Sequence, residues 1–421
     1  MMNRRDFLKA AASTAALATP LAGHASRRAG GHVVIVGGGF GGATLAKYLR
    51  LWSEGGVKVT LVERNLHFTS CPMSNLVIGG LKRMEDITLD YRQLAARHGV
   101  RVVHDTVVGI DPAKRTVRLA GGDSLHYDRL ALSPGIDFMT DAIGGLTGQQ
   151  EALPHAWKAG PQTALLRRQL EAIPDGGVFA MHIPKAPFRC PPGPYERACM
   201  VASYFKRHKP KSKVLVLDAN PDIQSKKALF RAAWDQHYRG IIEYRPDNTL
   251  LEVDAASRRA VMEFDAVTAD VLNIIPPQRA GAVAGMIGSN LVNDRWVGVN
   301  WLTTEVSDVP GVHVIGDAAF PAPGMPKSGH MANQQAKVAA AAILRLLAGE
   351  APNPAPVVVN TCYSFVDPTH AIHVASVHQF DAQQQTFMPV DGAGGLSPEA
   401  NTLEAQTALA WAKNIWGDML A

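Results

Sequence analysis

Cys71 is a thiol placed where it can meet a bound nucleotide. It stands in Thr69-Ser-Cys71-Pro-Met-Ser-Asn75, eight residues beyond Glu63. Glu63 closes the apolar stretch Val57–Val62 and lies 21 residues after Gly42. Gly42 ends the run Gly37-Gly-Gly39-Phe-Gly-Gly42, which follows the hydrophobic residues Val33–Val36. This is a strand, a G-x-G-x-x-G turn and a helix. Gly37 permits the tight turn, Gly39 lets the backbone approach a pyrophosphate, and Gly42 lets helix and strand pack closely. The helix N-terminus then turns unpaired N–H groups and its positive dipole toward phosphates. An acid at position 63 accepts hydrogen bonds from a ribose.

The elements that must position these groups read as α/β. From about 26 to 145 the fingerprint unit is followed by Val100–Gly109 and Thr116–Leu119, both read as strands. Tyr127–Leu132 then runs into the small-residue turn Ser133-Pro-Gly135, which can return the chain beside the first strand. From about 146 to 275, the strand Gly177–Ile183, the helix Tyr195–Lys209 and the strand Lys213–Asp218 repeat the β-α-β pattern. That suggests a duplicated nucleotide-binding fold whose second copy is degenerate. In place of a glycine turn stands Pro184-Lys-Ala-Pro-Phe-Arg-Cys190-Pro-Pro-Gly193-Pro-Tyr195. Prolines cannot supply the N–H groups that cradle a pyrophosphate, so a second dinucleotide such as NADH is not expected here. The loop carries a cysteine instead.

A return segment, 276–350, ends a strand in Gly316-Asp317 and continues through Lys327 into a helix over 332–347. Residues 351–421 contain Cys362, several short strands and a final helix with Trp411 and Trp416. The expected fold class is thus α/β: two Rossmann-like dinucleotide-binding domains, the second degenerate, plus a C-terminal α+β domain.

The 421 residues are 47% apolar and 19% charged, the balance of a chain with a sizeable core. A net charge of +5 without a long basic run gives no case for nucleic acid. Residues 1–25 read as an export signal: Asn3-Arg4-Arg5-Asp6-Phe7-Leu8-Lys9 is a twin-arginine pattern, an alanine-rich segment follows, and Gly23-His24-Ala25 offers a cleavage site. Cleavage there lowers the net charge from +5 to +3. No later segment has the 18 consecutive apolar residues of a membrane span, so the mature chain is expected to be soluble and periplasmic. Disulfides can persist in that compartment. There is no C-x-x-C-H for c-type haem and no Cys/His cluster with metal-site spacing.

The sequence resembles the flavoprotein subunit of flavocytochrome c sulfide dehydrogenase, within the two-dinucleotide-domain flavoproteins that include sulfide:quinone oxidoreductases. The resemblance rests on the Gly37–Gly42 fingerprint, Cys71 in its Cys-Pro-Met-Ser-Asn setting, Arg189-Cys190-Pro-Pro-Gly-Pro-Tyr-Glu196, Ile275-Pro-Pro-Gln-Arg-Ala-Gly281, Gly316-Asp317 and Cys362-Tyr-Ser. It implies FAD held by Gly37, Gly39, Gly42, Glu63, Arg64, Ser133, Gly135, Gly316 and Asp317, with Lys327 near the flavin ring. It implies a thioether from Cys71 to the flavin 8α-methyl. It implies a redox disulfide between Cys190 and Cys362, which lie 172 residues apart. Hydrosulfide would open that disulfide, leaving a persulfide and a thiolate that reduces the flavin at C4a, with Arg189 as one cationic neighbour. A separate c-type cytochrome subunit would take the electrons. The quinone reductase and a non-catalytic flavin carrier are the other readings. Cys199, nine residues after Cys190, reads as a core cysteine rather than a third redox sulfur. Taking up FAD before export requires a route for folded proteins, which the twin-arginine pattern provides.

Overall fold

The computed structural model describes residues 30–421, so the export-signal reading lies outside the described residues. The chain opens with strand β1 (Gly31–Val36), whose last four residues are buried, and turns at once into helix α1 (Phe40–Trp52). Strands β2 (Val57–Val62), β3 (Arg101–Val103) and β4 (Arg129–Leu132) follow. With the distant strand Val312–Val314 they form one parallel sheet, ordered Val312–Val314, β4, β1, β2, β3. Parallel sheets are covered on both faces, which is why β1 and β2 are nearly continuous apolar runs. The first nucleotide-binding unit is therefore completed by residues some 280 positions down the chain from β1.

The stretch read as one strand over Val100–Gly109 is two. β3 belongs to the parallel sheet, while Val107–Asp111 pairs antiparallel with Thr116–Leu119, which pairs with Ser124–His126. Between them Asp105 accepts hydrogen bonds from the backbone N of Thr106 (2.6 Å) and Gly121 (3.1 Å), which turns the chain out of the sheet.

The central unit holds β5 (Val178–Ile183), α2 (Gly193–His208), β6 (Lys213–Asp218), β7 (Ile242–Arg245) and β8 (Val271–Ile274). Its parallel sheet has the order β7, β6, β5, β8. Helix α2 begins two residues before the expected Tyr195. Pro194 is tolerated in its first turn, where a backbone N–H has no intrahelical acceptor. Helix α3 (Gly329–Ala348) likewise starts before position 332, because Ser328 caps it by accepting the Met331 N–H at 3.0 Å.

The C-terminal strands are long rather than short: β9 (Val357–Phe365), β10 (Ala371–Asp381) and β11 (Thr386–Leu396) form an antiparallel sheet. Helix α4 (Thr402–Leu420) closes the chain. Its Asp418 accepts hydrogen bonds from Tyr48 of α1 (2.5 Å) and Asn333 of α3 (2.7 Å), tying the last helix to the first unit. No helix among the described residues is long and apolar enough to cross a membrane.

Candidate functional site

The glycine turn has the shape its residue types predict. Gly37 has φ +100°, and a Cβ there would lie 2.3 Å from the Ser133 carbonyl oxygen. A Cβ at Gly42 would lie 1.8 Å from the Gly37 oxygen, whereas one at Gly39 would meet nothing within 4 Å. The turn is thus closed toward the protein and open at the position where a pyrophosphate must approach. Glu63 braces it: one carboxylate oxygen accepts the Gly38 N–H at 2.7 Å, the other the Asn65 N–H at 2.9 Å. Arg64 is exposed beyond the end of β2.

Ser133, Gly135 and Gly316 meet this turn from two other chain segments. The Ser133 hydroxyl lies 2.6 Å from where a Gly41 Cβ would be and 3.7 Å from a Gly316 Cβ. Gly135 accepts the Gly281 N–H at 2.9 Å, and Gly316 donates to Gln335 at 2.7 Å. A concavity beside them is lined by Gly316, Asp317, Lys327, Met331 and Gln335. There Asp317 Oδ1 is buried without a hydrogen-bond partner. A buried carboxylate oxygen demands a donor. A polyhydroxyl chain supplies one, so the residues present fit the ribityl part of FAD.

Lys327 is buried rather than a surface-loop lysine. Its ammonium donates to the carbonyls of Asp317 (2.8 Å) and Ala319 (2.7 Å) and sits 3.7 Å from the centre of the Trp296 ring. Burial brings its pKa down to about 7, against the opposing pull of Asp317.

Cys71 lies in the turn before the short helix Ser74–Ile78, its carbonyl accepting the Ser74 N–H and hydroxyl. Its sulfur accepts the Ala159 N–H at 3.4 Å, and the Arg189 guanidinium lies beside it, within electrostatic reach of Asp317 and Cys190. Trp416 of α4 donates to Ser70 at 3.1 Å, which sets the terminal helix against this turn, while Trp411 packs on His330 and Tyr363.

Cys190 sits at φ +55°, with its N–H bonded to the Lys327 carbonyl at 2.8 Å. The proline loop of the central unit is thereby fastened to the segment that lines the concavity. Gly193 makes room for the thiol, since a Cβ there would lie 2.9 Å from the Cys190 sulfur and 2.8 Å from the Trp157 ring. Cys362 arrives from β9, its sulfur receiving a hydrogen bond from Asn360 at 3.4 Å. Burial pushes the Cys190 thiol up to about 12, reinforced by Cys362 and Glu196 and opposed by Arg189 and Lys226. Burial also raises Cys362, with Lys226 the main opposing charge. All four cysteines are free thiols in this structure, so Cys190 and Cys362 share one cluster without the expected bond, and Cys362 is held by Asn360 instead. Cys199 is buried inside α2, where Trp234 donates to its sulfur at 3.2 Å and burial raises its pKa. No group of metal ligands occurs among the described residues.

Three charged residues of this cluster escaped the reading of the sequence as site residues. Glu196, although within the quoted proline motif, is half-buried, accepting the Phe365 N–H at 2.8 Å and the Asn75 amide at 2.7 Å; desolvation raises its pKa. Lys226 and Arg197 are fully buried. A lysine in Ser225-Lys-Lys227 and an arginine within a helix carry no sequence signal that separates them from surface charges. In the central unit Asp218, at the end of β6, stands where a nucleotide ribose would seek an acid. It is occupied by the hydroxyls of Tyr195 (2.7 Å) and Tyr244 (3.0 Å), a physical reason for the unit's degeneracy.

Comparison with known proteins agrees with this geometry. Residues 163–276 match the family model for the sulfide dehydrogenase [flavocytochrome c] flavoprotein chain, central, and residues 354–420 that for its flavin-binding domain. Residues 31–164 match pyridine nucleotide-disulphide oxidoreductases, and residues 1–20 the twin-arginine translocation signal, which directs export to the periplasm. The sulfide dehydrogenase flavoprotein chain of Chlorobaculum thiosulfatiphilum is 58% identical over 45 residues, covering 11% of this chain and 92% of that sequence. A mitochondrial sulfide:quinone oxidoreductase of Dictyostelium discoideum is 25% identical over 58% of this chain and 56% of its own length. The match thus spans little more than half of that relative. The crystal structure of the sulfide:quinone oxidoreductase from Aquifex aeolicus shares the fold, with a TM-score of 0.76 and 19% identity over 92% of this chain and 91% of that one. With FAD as the cofactor these matches support, the chain belongs to the family of flavocytochrome c sulfide dehydrogenase flavoprotein chains.

Proposed function

We propose that this protein oxidises hydrosulfide through a Cys190–Cys362 disulfide and FAD and passes the electrons to a c-type cytochrome subunit. The observation that carries the reading is the delivery of two thiols from different domains to one partly buried, charged cluster fastened to the Asp317–Lys327 concavity by the Cys190–Lys327 backbone bond. A passive electron carrier has no use for such a pair.

In the oxidised pair, hydrosulfide attacks one sulfur and the S–S bond breaks. One cysteine keeps the incoming sulfur as a persulfide, and the other leaves with the electron pair as a thiolate. Arg189, beside Cys71 and Cys190, offers positive charge to the anionic attacker. Bound FAD supplies a two-electron acceptor that can be re-oxidised one electron at a time. Gly37, Gly39 and Gly42 would admit its pyrophosphate, Glu63 and Arg64 would face its ribose end, and Ser133, Gly135, Gly316 and Asp317 would hold the ribityl part. A charged Lys327 would favour negative charge on the reduced ring.

The test is rapid mixing of sulfide with the protein purified together with its cytochrome. Flavin bleaching should precede haem reduction, and haem should then be reduced in the same complex. Fast reduction of quinone by the chain alone, with no reduction of cytochrome, would transfer the reading to a sulfide:quinone oxidoreductase.

The covalent link is a separate proposal. Cys71 should carry FAD through a thioether to the 8α carbon, which prevents cofactor loss in a compartment that cannot replace it. Acid precipitation of the holoprotein should leave the yellow colour in the pellet and in a Cys71-containing peptide. Cys71→Ser should still bind FAD through the glycine turn but release it on denaturation. Complete release from the matured wild-type protein would show that no such bond exists.

A further inference from the structure

Lys226 is a buried ammonium with no carboxylate partner among the described residues; only 4% of the residue is exposed. Three neutral acceptors on the C-terminal sheet receive its hydrogen bonds: the carbonyl of Cys362 (2.9 Å), the hydroxyl of Ser364 (2.8 Å) and the carbonyl of Ile372 (3.4 Å). It comes from the central unit, just before the helix Lys227–His237, with φ +57°. Two neighbours from the same unit grip the next residues of β9 and the chain just past it: Glu196 accepts the Phe365 N–H at 2.8 Å, and Tyr238 donates to the Val366 carbonyl at 2.7 Å. Glu196 and Glu404 act on it only through space, and holding a charge in such a place without a direct ion pair is costly unless an anion forms beside it.

We propose that Lys226 is a positioning residue that fixes Cys362 on its strand and stabilises negative charge on the Cys362 sulfur, so that Cys362 is the thiolate released when the Cys190–Cys362 bond is opened. This rests on the disulfide reading above. Hydrosulfide attacks the Cys190 sulfur, the S–S bond breaks, its electron pair stays on Cys362, and Cys190 retains the added sulfur with its proton.

The surroundings of the two thiols differ in the required sense. Cys362 has Lys226 as its leading charged neighbour and a hydrogen bond from Asn360; Glu196 opposes. For Cys190 the anionic neighbours, Cys362 and Glu196, outweigh Arg189 and Lys226. Lys226 itself faces Cys362, Glu196, Cys190 and Glu404; burial lowers its pKa to about 8, so its charge is present below that pH and lost above it. On the far side of the strand's Thr361, His330 accepts a backbone N–H and is kept neutral by burial.

The experiment is pulsed iodoacetamide labelling of the reduced holoprotein at pH 7, below the pH at which Lys226 loses its charge, with Cys362 and Cys190 peptides quantified by mass spectrometry. In Lys226→Met the rate of Cys362 labelling should fall by roughly tenfold, the loss of thiolate that one pH unit represents. The slower labelling of Cys190 should change less. Lys226→Arg should keep the wild-type rate. Lys226→Gln, which retains hydrogen bonding without charge, should behave as the methionine variant and serves if that variant does not fold. An equal change for both cysteines, or for Cys362 in the arginine and methionine variants alike, would mean that Lys226 only shapes access, and would overturn the proposal. Labelling needs no sulfide, so a wild-type protein that sulfide fails to bleach would overturn the disulfide reading and leave the labelling result to decide Lys226.

Discussion

Serine at either Cys190 or Cys362 should leave a yellow protein that sulfide no longer bleaches, with flavin reduction slowed by on the order of 10³-fold or more. Each sulfur is indispensable to thiol–disulfide exchange, as electrophile or as leaving group, and a serine hydroxyl can be neither. The two single variants and the double variant should therefore be equally inactive, because the residues act as one unit. The flavin spectrum should survive, since the glycine turn, Glu63 and Asp317 do not depend on either sulfur. Cys362→Ser should fold well, because Asn360 can donate to a hydroxyl as it does to the sulfur. Cys190→Ser keeps the φ of +55° and the Lys327 backbone bond, neither of which uses the side chain. Sulfide bleaching at the wild-type rate in both variants would reduce the pair to a structural role. Rapid-scan absorbance after anaerobic mixing with sulfide decides it.

Much of this site is legible in the sequence because its signals are local. Gly37 and Gly42 are required by the turn itself and Gly39 by the close approach of a pyrophosphate, and a strand, a helix and Glu63 at the right spacing supply the context. The proline loop around Cys190 shows equally directly that the second nucleotide unit has lost its phosphate cradle. The structure adds that Tyr195 and Tyr244 have taken Asp218, a contact between residues 23 and 26 positions apart in sequence from that acid. What stays hidden is decided by long-range burial. Lys226 touches β9 across 136 residues, and Lys327 lies under Trp296 through the packing of a loop on the concavity. Charged residues of this kind look like surface charges until the fold encloses them. Element ends fail for a similar reason: the break after β3 comes from Asp105 bonding to Gly121, and the start of α3 from one serine hydroxyl.

Arg197→Met should be the most destabilising single substitution in the cluster, at about 3 kcal/mol or more, from buried acceptors that lose their donor. The side chain is 1% exposed and forms no ion pair among the described residues. Its nitrogens instead donate to the Asn75 amide oxygen (3.1 Å), the His155 carbonyl (3.0 Å), the Asn273 amide oxygen (2.8 Å) and the Ala156 carbonyl (2.6 Å). The guanidinium centre lies 4.9 Å from the Trp157 ring centroid. Methionine removes every donor; the His155 carbonyl keeps the Asn273 amide at 3.0 Å, but the Asn75 and Asn273 amide oxygens and the Ala156 carbonyl are left unpaired, and each such loss is worth about 1–3 kcal/mol. The damage should reach the thiols by a defined route. Trp157 donates to the Arg189 carbonyl at 3.2 Å, and Arg189 returns a bond to the Trp157 carbonyl at 2.5 Å. Asn75 also holds Glu196, the carboxylate that anchors β9 at Phe365. Loosening Arg197 therefore frees the proline loop and the Cys362 strand together. Arg197→Lys should recover part of the loss, since an ammonium can satisfy some acceptors but cannot stack on the indole or span four of them in one plane. Urea unfolding of the holoprotein, with limited proteolysis of residues 184–195 as a local probe, should show a lowered midpoint and faster cleavage in the methionine variant. An unchanged midpoint would mean that those acceptors find other donors and that Arg197 does not hold the site together.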